Sequence, residues 1–193
     1  GKGLPVIDIL TGTKIETQLF VGVWGASNKT YAEAVTGQDL PSWIKVNVNM
    51  VEYFGCSPKA IVPDNLKAAV MKACWYEPEI NPTYQEYAEH YGITIFPARP
   101  GKPKDKAPVE NGVRLAKRWI LARLRNRVFH SCAEMNAAIW ELLKDLNGRV
   151  MKKIGKSRQE LFESLDRPNA LPLPEDRYEY AVWKKAKVGF NYH

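Results

Sequence analysis

The stretch TQLFVGVWGASNKTYAEAV, Thr17 to Val35, contains two apolar runs separated by a short polar turn. Thr17 to Trp24 is almost entirely apolar, which predicts a central strand that is buried on both faces. Gly25 to Asn28 has the composition of a turn, and Thr30 to Val35 predicts the next strand. Together with a first strand at Leu4 to Leu10, these residues predict an antiparallel meander.

Helical and strand patterns alternate after the meander. Apolar residues at helical spacing and a following glycine, Gly55 or Gly92, mark the first two helices, because glycine readily adopts the left-handed conformation that ends a helix. The predicted elements are helix Leu40 to Phe54, strand Ala60 to Pro63, a helix from Asn81 to Tyr91, strand Ile93 to Pro97 and helix Val109 to Phe129. This order predicts an α/β fold with a mixed sheet that helices cover.

The chain changes character after Phe129. Ser131 stands three residues before Glu134 and can cap a helix that begins there, and Ser157 opens a shorter helical run. Asp166 to Asp176 is rich in proline and lacks periodicity, which is typical of a linker. We therefore predict a core domain at residues 1–129, a small helical extension at 130–165, and a linker with the start of a further unit at 166–193.

Composition limits the class of protein. The chain has 193 residues, of which 45% are hydrophobic and 25% charged, so one domain with an ordinary core is expected. Neither a long apolar run nor a signal-peptide pattern is present, so we expect no membrane span and a cytoplasmic location. Its three cysteines, Cys56, Cys74 and Cys132, are too widely spaced to predict a disulfide framework or a zinc site. The chain begins without Met, which indicates a fragment of a longer protein.

Positive charge is concentrated in one window. The formal net charge is +7, and the window from Pro97 to Phe129 contains ten basic residues and two acidic ones. A basic stripe of this kind is typical of a polyanion-binding face, although a solvated helix face gives the same pattern. The basic residues are Arg99, Lys102, Lys104, Lys106, Arg114, Lys117, Arg118, Arg123, Arg125 and Arg127.

Two acidic residues occupy positions where catalytic or metal-binding carboxylates are often found. In IVPDNLKAAV, Ile61 to Val70, Asp64 follows a short apolar strand, and functional groups collect where parallel strands end. Glu110 lies in the first turn of the long helix, directly after the basic loop. Each has a structural alternative, since Asp64 could cap the following turn and Glu110 could complement the helix dipole.

Four motifs around these acids resemble a known family. VPDNLKAAV, NPTYQEYAEHYG, FPARPGKPKDKAPVENGV and RWILARLRNRVF occur in this order from Val62 to Phe129. They resemble the integrase core of IstA-type insertion-sequence transposases, and the similarity extends over the whole chain. The resemblance implies an RNase H-like fold with a five-stranded mixed sheet flanked by helices. It also implies a DDE metal site in which Asp64 is the second catalytic aspartate and Glu110 the catalytic glutamate.

The first catalytic aspartate of the family has no counterpart at the matching position of this chain. The family motif that carries it aligns just before Gly1, so the resemblance places this aspartate upstream of the chain. Asp8, in the first predicted strand, is the alternative. Lys117 stands two helical turns after Glu110, where the resemblance implies a basic residue that contacts DNA.

The implied chemistry is phosphodiester transfer by divalent metal ions. Two Mg²⁺ (or Mn²⁺) ions roughly 3.5–4 Å apart activate the attacking oxygen and stabilise the leaving one, and carboxylates hold such ions. The resemblance implies 3′-end processing and strand transfer on double-stranded DNA, both element ends and target, by a homo-oligomer with an ATPase helper protein. Basic side chains expected to contact DNA phosphates are Lys102, Lys104, Lys106, Arg114, Lys117 and Arg118.

Two other functions remain open from the sequence. One is a non-catalytic DNA-binding or assembly module of the same fold, which the displaced first aspartate favours. The other is an RNase H-type nuclease that cleaves RNA–DNA hybrids. Strand transfer by the whole protein, and its dependence on Asp64 and Glu110, distinguishes these functions.

Overall fold

The structure is a computed structural model that describes residues 2–63, 70–72, 79–96 and 107–181, with the backbone alone for 70–72, 79 and 107–110. The strands are β1 Val6–Ile7, β2 Lys14–Ile15, β3 Gln18–Val23, β4 Thr30–Val35, β5 Ala60–Ile61, β6 Val70–Lys72, β7 Glu79–Ile80 and β8 Thr94–Ile95. The helices are α1 Leu40–Phe54, α2 Pro82–His90, α3 Ala107–Ala116, α4 Ala122–Leu124, α5 Cys132–Gly148 and α6 Arg158–Leu161. A π-helical turn, Lys117–Leu121, joins α3 to α4, and a second one, Phe162–Asp166, follows α6.

The two strands of the opening stretch form as predicted. β3 and β4 pair antiparallel along their full length, with Leu19 opposite Ala34 and Val21 opposite Ala32. The turn between them contains Asn28 at φ 56°, a left-handed conformation that Asn tolerates better than most residues. The sequence pattern therefore predicted this hairpin correctly, because apolar runs and turn composition are both local signals.

The predicted first strand is shorter in the structure. Only Val6–Ile7 is a strand, and it pairs with Lys14–Ile15. The chain turns after it because the Asp8 carboxylate accepts hydrogen bonds from the backbone N–H groups of Leu10 and Thr11, at 2.9 and 2.8 Å. An isolated antiparallel bridge from Lys2 to Gln18 connects this hairpin to the start of β3.

The described strands form four two-stranded pairs rather than the predicted five-stranded sheet. β5 pairs with β8 in parallel, with Ala60 opposite Thr94, whereas β6 pairs antiparallel with β7. β3 and β5 are not hydrogen-bonded to each other, because a cleft lies between them. The α/β class is confirmed, while one continuous sheet is absent from the described part of the chain.

The helix boundaries follow the capping residues. Asp39 caps α1 through Ser42, and Gly55 ends it at φ 67°. Ser157 forms a complete capping box with Glu160, as its sequence indicates. The long helix predicted to end at Phe129 stops earlier, at Leu124, and its middle is the π-helical turn. That turn contains one more residue than an α-helical turn, and the apolar spacing did not indicate it.

The main core lies between the β3–β4 hairpin and the helices that cover it. Leu19 and Ala34 contribute from the hairpin, Ile120 from the π-helical turn, and Ile139 and Leu143 from α5. A second core joins α1, α2 and β8, with Ile44, Val48, Tyr84, Tyr87 and Ile95 among its buried residues. α5 therefore packs directly on β4, and the division of the chain after residue 129 stays a prediction.

The structure also bears on the expected membrane spans and on the cysteines. None of the helices in the described ranges is long and apolar enough to cross a membrane. Cys56 and Cys132 are free thiols, and burial raises the pKa of both. Cys74 lies outside the described residues.

Candidate functional site

A cleft of 880 Å³ separates β3 from β5. Its base is formed by α1, whose Trp43 and Met50 meet the residues of β3. The aromatic rings of Trp43 and Phe20 pack edge to face with their centroids 5.5 Å apart, which keeps this base rigid. Other lining residues include Gln18, Leu19, Val21, Gly22, Val23, Trp24, Lys59, Ala60, Ile61, Val62, Pro63, Val113 and Lys117.

One wall of the cleft is the end of β5. Ile61 accepts a hydrogen bond from Phe96 N–H at 2.9 Å, which fixes the strand against β8. Val62 and Pro63 continue along the cleft after the strand ends. Asp64 is the next residue in the sequence, and it lies outside the described residues.

Residues of α3 and of the turn that follows it also line the cleft. Val113 and Lys117 both line the cleft, as residues four apart on a helix do. Gly112 lies so close to β3 that an added Cβ would overlap Val23 Cγ2 and lie 3.1 Å from Val23 Cγ1. This contact holds α3 against the end of β3. Glu110 lies in α3, three residues before Val113, and its backbone alone is described.

The predicted basic residues divide into two groups. Lys102, Lys104 and Lys106 lie outside the described residues. Of the described three, Lys117 is half-buried in the cleft wall, whereas Arg114 and Arg118 are exposed on α3 and the π-helical turn. Arg114 donates a hydrogen bond to Asn111 at 2.9 Å, so its guanidinium remains near the surface.

Asp8, the alternative first aspartate, has a structural role in its own turn. Hydrogen bonds from Thr11 and Leu10 hold the pKa of its carboxyl below the usual value. Asp8 is half-buried, and it is not among the residues that line the cleft. In the part of the chain that the structure describes, no three His, Cys, Asp or Glu residues come together as metal ligands would.

Sequence reasoning missed Asp166 as part of this site. Its carboxylate accepts hydrogen bonds from Ser27 N–H at 2.9 Å and Ala26 N–H at 3.4 Å, and it lines the cleft beside Asn169. It therefore fixes the turn between β3 and β4 from the far end of the chain. No local signal reveals this contact, because the partners are 139 and 140 residues apart.

Known protein sequences match this chain over its whole length. No protein-family profile matches it. A protein of Sinorhizobium fredii named "Putative transposase y4bL/y4kJ/y4tB" is 53% identical over 193 residues, which is 100% of this chain and 37% of that protein. The chain is homologous to insertion-sequence transposases. The transposase of insertion sequence element IS21 from Pseudomonas aeruginosa is 25% identical over 94% of this chain and 46% of its own length.

Two solved structures share the fold of this chain. A chain of the simian T-cell lymphotropic virus intasome, solved with the PP2A regulatory subunit B56 gamma, has a TM-score of 0.63 at 18% identity, covering 94% of this chain and 59% of that one. The catalytic core domain of BIV integrase has a TM-score of 0.56 at 13% identity, covering 85% of this chain and 93% of that one. The resemblance drawn from the sequence motifs is therefore confirmed, and the fold is that of integrase cores. The chain spans less than half the length of either transposase relative.

Proposed function

We propose that the chain is the catalytic core of a DNA transposase that processes 3′ ends and transfers strands in a metal-dependent reaction. The observation that carries this proposal is the cleft, which Pro63 and Val113 both line. Asp64 follows Pro63 directly, and Glu110 precedes Val113 by one helical turn. Both predicted acids are thus close in sequence to residues that line one cleft.

The third carboxylate is proposed to be an aspartate upstream of Gly1. Lys2 bridges to Gln18 in antiparallel register, and Gly3 N–H donates to Thr17 C=O at 2.8 Å. A chain that entered Lys2 along this register would pass Gly22 and then Phe20, which both line the cleft. We further propose that this segment is the middle strand of a five-stranded mixed sheet, between the pairs β4–β3 and β5–β8.

The donor set suits a hard divalent cation. Asp64, Glu110 and the upstream aspartate would supply carboxylate oxygens, the ligands that Mg²⁺ and Mn²⁺ prefer. Such an ion, when bound, neutralises charge at the phosphate that reacts. Lys117 would contact a neighbouring phosphate from the cleft wall and orient the DNA, together with Arg114 and Arg118 and the lysines at 102, 104 and 106.

The proposed partners follow from this role. Double-stranded DNA of the element ends and of the target would enter the cleft, and a homo-oligomer would hold two ends together. An ATPase helper protein of the same element is the proposed protein partner. Because the relatives are proteins of bacteria, whose DNA lies in the cytoplasm, we place the protein in the cytoplasm.

A strand-transfer assay with the full-length protein tests the proposal. Asp64→Asn and Glu110→Gln preserve side-chain shape and remove charge, so each should abolish transfer in Mg²⁺ and leave DNA binding nearly unchanged. Glu141→Gln is the matched control, since Glu141 is exposed on α5, a helix that does not line the cleft. Transfer at the wild-type rate by either acid variant would refute the catalytic assignment.

The same assay separates the alternatives. A non-catalytic assembly module would bind DNA and give no transfer even as the wild-type protein. An RNase H-type nuclease would cleave RNA–DNA hybrids without any element end, and the two acid variants would lose that cleavage instead.

A further inference from the structure

The connection between α5 and α6 is a strongly basic loop, RVMKKIGKSR, at residues 149–158. Half of its ten residues are lysine or arginine, and none is acidic. It lies outside the basic window of residues 97–129. The basic residues are Arg149, Lys152, Lys153, Lys156 and Arg158.

The basic loop has a defined fold. Val150 and Ser157 form an antiparallel bridge, and Met151 N–H donates to Lys156 C=O at 3.0 Å. Gly155 N–H donates back to Met151 C=O at 2.8 Å, and its φ of 73° is a conformation that favours glycine. Because Ser157 also caps α6, the loop is anchored at both ends. A ligand that binds it therefore needs to order little backbone.

The charges of this loop are available to a ligand. Arg149, Lys152, Lys153 and Lys156 are exposed, and no ion pair between described residues includes them. The acids nearby in the sequence have other partners. Glu160 accepts a hydrogen bond from Ser157 N–H at 2.7 Å, and Glu163 pairs with Arg167 at 2.6 Å. Hydrogen bonds from Ser157 and the nearby Lys156 ammonium both lower the pKa of the Glu160 carboxyl, so the charge of Lys156 is partly offset. The loop thus presents three cations, Arg149, Lys152 and Lys153, that form no ion pair with either acid in the described part of the chain.

Two arginines extend the basic surface from the loop to the long helix. The guanidinium of Arg123 lies 3.4 Å from the Trp119 ring centroid, and that of Arg149 lies 5.1 Å from it. The Trp119 indole N–H donates to Leu142 C=O at 3.2 Å, which fixes the ring against α5. Asp145 pairs with Arg123 at 3.7 Å and offsets part of its charge. This surface is separate from the cleft, since none of its residues lines the cleft.

We propose that this surface, formed by Arg123, Arg149, Lys152, Lys153 and Lys156, binds the phosphate backbone of duplex DNA outside the cleft. The choice of DNA rests on the proposed function. Exposed cations on a rigid loop suit phosphates, which are contacted by charge and not by base sequence. The surface would hold DNA at a distance from the reacting bond, and so would set affinity and orientation.

Fluorescence anisotropy with a labelled duplex that lacks element-end sequences tests this surface. The double variant Lys152→Ala/Lys153→Ala should weaken binding several-fold. It should also reduce the slope of log Kobs against log salt by about 0.9 for each phosphate that is no longer neutralised, or about 2 for the two lysines together. Lys14→Ala/Lys45→Ala removes two exposed lysines from β2 and α1 and should leave both quantities unchanged. Equal losses in the two double variants, or none in either, would overturn the proposal.

Two further measurements test whether the basic loop itself contacts the ligand and whether that ligand is DNA. Chemical acetylation of the wild-type chain should be slowed at Lys152, Lys153 and Lys156 by bound duplex, and unchanged acetylation would contradict the proposal without any variant. If the loop variant loses binding to anionic phospholipid vesicles and keeps its DNA affinity, the surface is a membrane site instead. The Asp64→Asn variant separates the two proposals, because it should lose strand transfer and keep the full salt slope.

Discussion

The side-chain amide of Asn136 pairs with both backbone groups of Ala34. Ala34 N–H donates to Asn136 Oδ1 at 2.7 Å, and Asn136 Nδ2 donates to Ala34 C=O at 3.0 Å. Asn147 repeats the arrangement with Thr30, at 3.0 and 2.8 Å. The two asparagines are about three helical turns apart on α5. They satisfy the edge of β4 that faces away from β3, and so protect it from pairing with another chain.

Replacing Asn136 with leucine should destabilise the chain by about 2–4 kcal/mol. Two hydrogen bonds are lost, and the buried N–H and C=O of Ala34 remain without partners. Urea unfolding measures the free-energy difference. Lys144→Leu, at an exposed position of the same helix, should change stability by about 0.5 kcal/mol or less. A similar effect at both positions would show that the paired amide is not what stabilises β4.

Gly112→Ala should destabilise the chain, although alanine is the better helix former by about 1 kcal/mol. The added methyl group overlaps Val23 and forces α3 away from β3, which costs about 1–3 kcal/mol. Because Glu110 lies in the same helix, strand transfer should fall as well. The comparison is Gly148→Ala, where an added Cβ has no atom within 4 Å and should stabilise α5.

A double-mutant cycle isolates this contact. Val23→Ala removes the overlapping methyl groups, so Gly112→Ala should cost less in that background. The expected coupling is about 0.5–3 kcal/mol. Additive free energies of unfolding would mean that α3 and β3 do not meet through these two residues.

Alkaline pH should unfold the protein through its buried tyrosines. Burial raises the pKa of Tyr31, Tyr84 and Tyr87, and in Tyr31 the neighbouring Glu33 carboxylate adds to the rise. A folded-state pKa above the unfolded value means that this stability is complete below the unfolded pKa, about 10, and is lost as the pH rises toward the folded pKa.

Tyrosinate absorbance and circular dichroism, recorded together, check this prediction. In the native chain the buried hydroxyls should ionise only as the structure unfolds, whereas in urea all tyrosines should titrate near pH 10. Ionisation of all tyrosines near pH 10 with an unchanged dichroism spectrum would contradict it.

Lys117→Ala should reduce strand transfer by about tenfold, the effect of losing one charged hydrogen bond to phosphate. Lys117→Arg should retain most of the activity, since the charge remains in the cleft wall. Lys45→Ala is the control on the exposed side of α1. Equal activities for Lys117→Ala and Lys45→Ala would remove Lys117 from the proposed DNA contact.

Local signals predicted a large part of the fold. The strand at Thr30–Val35 and the helix at Leu40–Phe54 have the predicted bounds, because turn residues, apolar spacing and Gly55 each act over a few positions. The bond from Asn136 to Ala34 spans 102 residues and left no local pattern. The separation of β3 from β5 was missed for a similar reason, since strand pairing depends on the whole chain.

The candidate site was predicted less directly. Asp64 and Glu110 came from a resemblance to transposases, and their metal-binding roles stay predictions. The basic window was visible in composition alone, and Lys117 within it lies in the cleft wall. The basic loop at 149–158 was overlooked because the excess of charge at 97–129 already accounted for the net charge of +7.

The π-helical turn at Lys117–Leu121 sets the direction in which the side chains of the second half of the long helix face. One additional residue rotates everything after it by about 100° relative to a regular α-helix. Lys117 before this rotation meets the cleft, and Arg123 after it meets Trp119. Deleting one residue from the turn would leave the first half in place and turn the second half away from α5. Since Leu124 in this second half is buried in the main core, the length of the turn couples the outer surface of the helix to the core, and neither can be rotated without the other.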